Sequence, residues 1–377
     1  MNVRRKCTIF RAMGTVIVSL FSLVSAGAQA GQTARPQMSE EAFKDVRVLK
    51  GIPVDEFMDT MGMFSASLGF CCTDCHVKEA VGNMAAFATS TPKLQTARGM
   101  IAMVNTLNRN SFAGAKKVTC YTCHRGTYTP ETVPDLALQY GTPYENPNAL
   151  DVVNSSASPQ PFFDKYIQAL GGAQRLANFA GYTAKGTYTG YETGLGPVPL
   201  EVYAKAPNQR TLILKMPEED SVRVYDGANG WVVGPERPVP LTTLTGPNLL
   251  GARLDALVSF PTGIQREFTQ WRSGSTVIND REVSVAQGTK AGQGAVNFYF
   301  DVETGLLVRT VRWNDTAVGS VATQTDYDDY RDVAGVKVPF GIVMTWTGGR
   351  STIELSEVRP IVPDAARFAR PAPGRQR

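Results

Sequence analysis

Every histidine in this chain directly follows a Cys-x-x-Cys pair. The two segments are Cys72-Thr73-Asp74-Cys75-His76 and Cys120-Tyr121-Thr122-Cys123-His124, and the 377 residues hold 2 histidines in all. This spacing is the attachment signal of a c-type haem. Two cysteine sulfurs form thioethers to the porphyrin, and the following imidazole reaches the iron from one face. The spacing must be short, because both thioethers and the axial histidine serve one macrocycle from a single turn of chain. Two such segments, which use the whole histidine supply, predict two covalently attached haem c groups. Cys72, Cys75, Cys120 and Cys123 are the expected thioether residues, with His76 and His124 as proximal iron ligands. Structural zinc held by two Cys-x-x-Cys pairs is the competing chemistry, and the two trailing histidines speak against it.

With no third histidine, bis-histidine ligation within the chain is excluded, and methionine is the obvious sixth ligand. Pro53 and Gly69 bracket a predicted helix, Pro at its first position and Gly as a left-handed cap. Val54, Phe57, Met58, Met61, Phe64, Ser65 and Leu68 recur there at three- and four-residue steps, with Asp55, Glu56 and Asp59 elsewhere. Met61 lies on this apolar face, 11 residues before Cys72. Met58 shares the face one turn earlier, and Met63 points away. A second helix is predicted from Thr91 as cap and Pro92 through Leu107, where Met100 and Met103 share a face. A methionine on an apolar helical face is ordinarily core filler. The haem motif downstream of each helix and the lack of spare histidines make Met61 and Met100 the expected distal ligands, with Met58 and Met103 as alternatives.

Haem attachment of this kind requires export. Arg4, Arg5, Lys6 and Arg11 form a basic start, Gly14 to Ser25 an apolar core, and Ala28-Gln29-Ala30 a small-x-small cleavage pattern. The apolar run is shorter than the roughly 20 residues that span a bilayer. Cleavage after Ala30 and a periplasmic location are therefore expected, with membranes reached only through partners. The whole chain carries 38 Lys+Arg and 34 Asp+Glu, and the four basic residues of the leader account for the excess. A balanced mature chain excludes a nucleic-acid partner on charge grounds. Cys7 would leave with the leader, and Cys71 reads as a bystander thiol or as a competitor of Cys72.

Cysteine, histidine and most methionines fall before residue 125, and the stretch from Thr129 to Gln160 is rich in Pro, Asn, Ser and Thr. The predicted layout is a signal peptide (1–30), a linker (31–44), a dihaem cytochrome c domain (45–130), a linker (131–160), a β-rich domain (161–368) and a tail (369–377). In the first domain a helix followed by a haem motif occurs twice, an internal repeat. The second opens with a helix-like stretch, Phe162 to Asn178. It continues with short β-branched or alternating runs broken by Asp226-Gly227, Asn279-Asp280 and Asp301 to Gly305. One helical stretch, Asn248 to Val258, interrupts them. The expected fold class is thus two-domain: an α-helical multihaem cytochrome, then a large, mainly antiparallel and half-barrel-like β domain with one or two helices.

The motifs of residues 45–130 resemble the photosynthetic reaction centre cytochrome c subunit family. The residues that carry the likeness are Val48 to Pro53, Thr60-Met61, Ser67-Leu68-Gly69, Gln95 to Arg98, Met100 to Met103, and Val118 to Gly126. The resemblance implies a methionine ligand from the helix ahead of each haem motif, which supports Met61 and favours Met100 over Met103. Photosynthetic members carry four haems, whereas this chain has two motifs and a β domain in place of the rest. Tyr166 to Gly172 and the later hairpins are similar to lipoprotein-carrier half-barrels, which hold an apolar ligand on the concave sheet face. The expected function is electron transfer between periplasmic or membrane-bound redox proteins, without substrate chemistry of its own. The alternatives are a haem enzyme such as a peroxidase, which needs an open iron face and a distal acid–base group, and an apolar-ligand binder with an accessory cytochrome.

Overall fold

The structure is a computed structural model and describes residues 35–133, 158–235 and 237–374. The predicted signal peptide and most of the predicted linker 131–160 lie outside the described residues. In the N-terminal region the chain forms α1 (Ser39–Ala42), α2 (Val54–Leu68), α3 (Cys72–Cys75), α4 (Pro92–Ser111) and α5 (Cys120–His124). Two 3-10 turns, Lys78–Val81 and Met84–Ala88, separate α3 from α4.

The local chemistry explains these limits. Pro53 is the N-cap of α2 rather than its first residue, so the helix begins one position later than predicted. Gly69 ends it at φ 66°, where its N–H donates to the Ser65 carbonyl. Only glycine fits there, since a Cβ on Gly69 would stand 2.5 Å from the Gly126 carbonyl oxygen. Thr91 caps α4 by accepting from the Leu94 N–H at 3.1 Å, with Pro92 in the first turn. This helix runs four residues beyond the predicted Leu107.

The C-terminal region opens with α6 (Gln160–Ala169) and α7 (Ala173–Asn178). Then come β1 (Gly181–Thr189), β2 (Pro197–Lys205), β3 (Gln209–Leu214), β4 (Ser221–Tyr225), β5 (Gly230–Val233) and β6 (Thr242–Thr243). The helix α8 (Gly246–Ser259) and a 3-10 turn, Pro261–Glu267, follow. The chain continues with β7 (Gln270–Ile278), β8 (Arg281–Thr289), β9 (Val296–Asp301), β10 (Leu307–Thr316), β11 (Gly319–Val333), β12 (Val336–Trp346) and β13 (Gly349–Arg359). All thirteen strands form one antiparallel sheet in the order β6-β5-β4-β3-β2-β1-β13-β12-β11-β10-β9-β8-β7. The β half of the predicted fold class is thus a large antiparallel sheet with helices. The two-residue β7–β8 turn has both Asn279 and Asp280 at positive φ, as a tight hairpin matched to strand twist requires.

The sheet curls around α8. This helix packs on β3 and β4 and also on β10, which stand far apart in the strand order. Strands sit ~4.8 Å apart and a helix with its side chains is about 10–12 Å wide, so one helix can touch both only if the sheet bends around it. The sequence of α8 agrees, with Leu250, Ala252, Leu254, Ala256 and Leu257 all buried and no single apolar stripe. Its Gly251 leaves room for the Arg312 guanidinium, 2.7 Å from where a Cβ would lie. Near α6, Phe163 meets Trp271, Phe298 and Phe300 at ring distances of 5.3, 5.9 and 5.2 Å.

Helix α2 joins the two regions. Its Met63 packs with Leu49 and Ile101 against Val318 and Val321 of the β10–β11 hairpin. Its other contact is polar. Asp55 accepts from the backbone N–H of Thr245 at 2.6 Å and from the Thr245 hydroxyl at 2.8 Å. Asp59 accepts from the Asn248 amide at 2.8 Å. Both partners stand at the start of α8, where carboxylates meet the free N–H groups and positive dipole end of a helix.

Candidate haem sites

Each Cys-x-x-Cys-His segment is one short helical turn with its own cap. In the first, the Cys71 N–H donates to the Asp74 carboxylate at 2.8 Å. In the second, the Thr119 N–H donates to the Thr122 hydroxyl at 3.0 Å. Asp74 acts here as a capping residue. Cys72, Cys75, Cys120 and Cys123 are free thiols, with Cys72 and Cys123 exposed. Burial raises the pKa of the Cys75 and Cys120 thiols above the ordinary value. Among the described residues no group of three or more His, Cys, Asp or Glu side chains is placed to hold a metal ion by itself.

The two imidazoles are held alike. His76 Nδ1 lies 3.0 Å from the Phe87 carbonyl oxygen, and His124 Nδ1 lies 3.1 Å from that of Thr127. A carbonyl only accepts, so Nδ1 carries a proton in both rings and Nε2 is the nitrogen left to face iron. Metal-bound histidines are ordinarily fixed by this kind of outer hydrogen bond, which sets both tautomer and ring orientation. Burial also pushes His76 below the usual imidazole pKa, against the opposing pull of the Phe87 carbonyl. The neutral, ligand-competent form is favoured there.

The surroundings of the motifs are locked from several directions. The Thr91 hydroxyl donates to the Cys75 carbonyl at 2.6 Å, which ties the start of α4 to the first motif. Buried Asn108 donates to the Val118 carbonyl and accepts from its N–H, at 2.7 and 2.9 Å, and so fixes the chain entering the second motif. Arg98 pairs with Asp45 at 2.9 Å. Phe70 and Tyr128 stack at 5.0 Å, with the Lys93 ammonium 4.7 Å from the Phe70 ring centre. One aromatic pair thereby joins the residue just before the first motif to the segment just after the second. Sequence reading missed this pair, whose only signal was an aromatic residue beside each motif.

The methionines divide by environment. Met63 is buried against the β10–β11 hairpin, as expected of a residue pointing away from the haem face. Met61 is half-buried and packs on the same small cluster as Cys120. Met58, Met100 and Met103 are exposed by 42%, 45% and 53%, and Leu107 continues the α4 stripe. Soft sulfur and apolar side chains therefore face outward on α2 and α4, an arrangement that a flat apolar macrocycle would cover. The residues present fit the group that the motifs imply.

Among the described residues no helix is long and apolar enough to cross a membrane. A comparison with curated proteins finds no match to the chain. Solved structures similar to it include a LolA superfamily protein from Nitrosomonas europaea, at 14% identity and TM-score 0.39, covering 56% of this chain and 98% of that one. A DUF1329 family protein from Desulfovibrio piger is similar at 11% identity and TM-score 0.40, covering 56% and 98%. The family comparison falls on the other part of the chain: residues 21–170, which include both Cys-x-x-Cys-His motifs, match the photosynthetic reaction centre cytochrome C subunit family.

Proposed function

We propose that the protein is a dihaem c-type cytochrome that carries electrons between exported redox partners and performs no substrate chemistry of its own. The observation that carries this reading is the matched treatment of the only two histidines. Each follows a free-cysteine pair, and each has Nδ1 tied to a backbone carbonyl so that Nε2 is available to iron. Haem c, when bound, supplies a one-electron iron centre whose potential is set by axial ligand, burial and hydrogen bonding.

The chain's own residues do the rest. Cys72 and Cys75, and Cys120 and Cys123, anchor each group, and the Phe87 and Thr127 carbonyls orient the imidazoles. Met61 and Met100 serve as the distal ligands, with Met58 and Met103 as alternatives. The Phe70–Tyr128 stack and the Thr91–Cys75 bond hold the two sites at a fixed separation, which a relay needs. Export through the predicted leader gives access to the compartment where covalent haem attachment takes place.

Two measurements test this. A pyridine haemochrome assay on the purified protein is expected to return two haems per chain. Spectroelectrochemical titration of Met61→Ala and Met100→Ala is expected to lower one potential each and to remove a sulfur–iron band. Unchanged potentials and bands in both variants would overturn the distal assignment. Carbon monoxide binding to the native reduced protein would instead favour an open site and the haem-enzyme reading.

A further inference from the structure

A cavity of about 110 Å³ lies on the concave face of the sheet, between α8, the C-terminal end of α6 and the strands on both sides of the β1–β13 pairing. Its walls are largely Leu, Val and Ile side chains, but its charges are unbalanced. Arg210, Arg223, Arg237 and Lys337 line it against only Glu192 and Asp255. Glu192 is engaged by the Tyr188 hydroxyl. Among the described residues no carboxylate lies within ion-pair distance of Arg210, Arg223 or Arg237. Arg210 and Arg223 are half-buried and Arg237 is exposed, and at Arg237 the repulsion of Arg223 is opposed by the weaker attraction of Glu192.

Guanidinium groups gathered at a partly buried site, with no carboxylate in direct ion-pair contact, are stabilised by an incoming anion, and their planar donors suit the two oxygens of a carboxylate or phosphate. The apolar remainder of the wall calls for a hydrocarbon segment. We propose that this cavity binds a short-chain anionic amphiphile, its carboxylate or phosphate held by Arg223 and Arg237 and its hydrocarbon chain enclosed among the apolar side chains. The size sets a limit, since an engineered cavity of roughly 150 Å³ takes one benzene ring and this one is smaller. The enclosed part is therefore small, and the head lies towards the rim. The site is independent of the haem motifs.

Isothermal titration of the intact, haem-loaded protein tests the proposal with four probes of equal chain length: octanoate, octyl phosphate, octanol and octylamine. One of the two anions is expected to bind one-to-one, at least tenfold more tightly than octanol, with no binding of octylamine. The tighter of the two anions identifies the head group. Arg223→Gln is expected to weaken that anion at least tenfold and leave octanol unchanged, with the far-ultraviolet circular dichroism of the sheet and its urea midpoint as the check on folding. If Arg223→Gln does not fold, Arg223→Lys carries the test and should weaken the anion several-fold, because an ammonium cannot bind bidentately. Octanol binding as tightly as both anions, no binding of either anion, or an anion affinity unmoved by the folded variant would each overturn it. Haem content and potentials are measured separately, so failure here leaves the electron-transfer reading standing.

Discussion

The two regions of this molecule bury apolar residues at very different densities. The N-terminal region has six buried apolar residues among its 99 described positions, and the C-terminal region has 46 among 216. The difference does not come from a lack of apolar residues in the first. Met58, Val81, Met84, Met100, Met103, Leu107, Phe112, Tyr121 and Tyr128 are there, and they face outward. A segment of this size with so small a core is marginal by itself and relies on covalent or metal-bound staples. The curved sheet builds its core from protein. The helical region keeps its apolar surface for something else, and two haems are what its motifs would put there.

The largest test of this contrast is to block haem attachment. In a variant with Cys72, Cys75, Cys120 and Cys123 all replaced by Ala, amide-exchange protection over 35–133 is expected to fall by orders of magnitude. Protection of β1 to β13 should persist, and equal loss or equal retention in both regions would break the contrast. Next in size, Phe298→Ala removes a fully buried ring and is expected to cost about 3–5 kcal/mol by denaturant unfolding. The haem spectrum should not move in Phe298→Ala.

The junction between the regions gives a smaller effect with a definite pH sign. Burial, the largest influence on both, raises the pKa of Asp55 and of Asp59, against the bonds from Thr245 and Asn248. The folded state therefore holds these protons more tightly than the unfolded chain does. Their contribution to stability is present below the ordinary carboxylate pKa and is lost as pH rises through the raised value. Asp59→Asn keeps an acceptor for Asn248 without the charge, so urea midpoints should lose part of their decline between acidic and neutral pH. A pH slope identical to wild type would show that Asp59 does not titrate in this range. Smallest of all, Phe70→Ala should cost about 0.5–1.5 kcal/mol. Faster exchange of amides near both motifs at once, rather than near one, would confirm that the Phe70–Tyr128 stack couples them.

How much of this was legible in the sequence depended on the kind of signal. The helices α2 and α4 were readable to within a few residues, because Pro, Thr and Gly at their ends act through backbone chemistry that does not depend on context. The tight turn at Asn279-Asp280 was legible for the same reason. Strand β11 was not, although at 15 residues it is the longest of the sheet. Its inward positions include Thr323 and Thr325 alongside Val321 and Tyr327, so it alternates between buried and exposed without alternating apolar and polar. Strand β1 hides similarly behind glycines, and Gly186 is required where the Glu354 carbonyl approaches within 2.1 Å of a hypothetical Cβ. At the candidate sites the cysteines and histidines declared themselves by spacing. The carbonyls of Phe87 and Thr127 that orient the imidazoles could not, since a backbone acceptor has no sequence signature. The docking of Asp55 and Asp59 onto the start of α8 joins residues some 190 positions apart, and helical periodicity says only that they avoid the apolar face.

The strand order also bears on how the molecule assembles. Every neighbouring pair in the sheet is consecutive in the chain except β1 and β13, whose partners lie between 163 and 176 positions apart. Local hairpins carry little loop-closure entropy and form early, whereas distant pairings are slow. The sheet is therefore expected to arise as two separate meanders, β1–β6 and β7–β13, which meet at a single late seam. The cavity straddles that seam, with Val202 and Leu212 on one side and Ile342 and Ile353 on the other. Until the seam closes neither meander owns the pocket, and a molecule stalled before that step would have its strands but no place for a ligand.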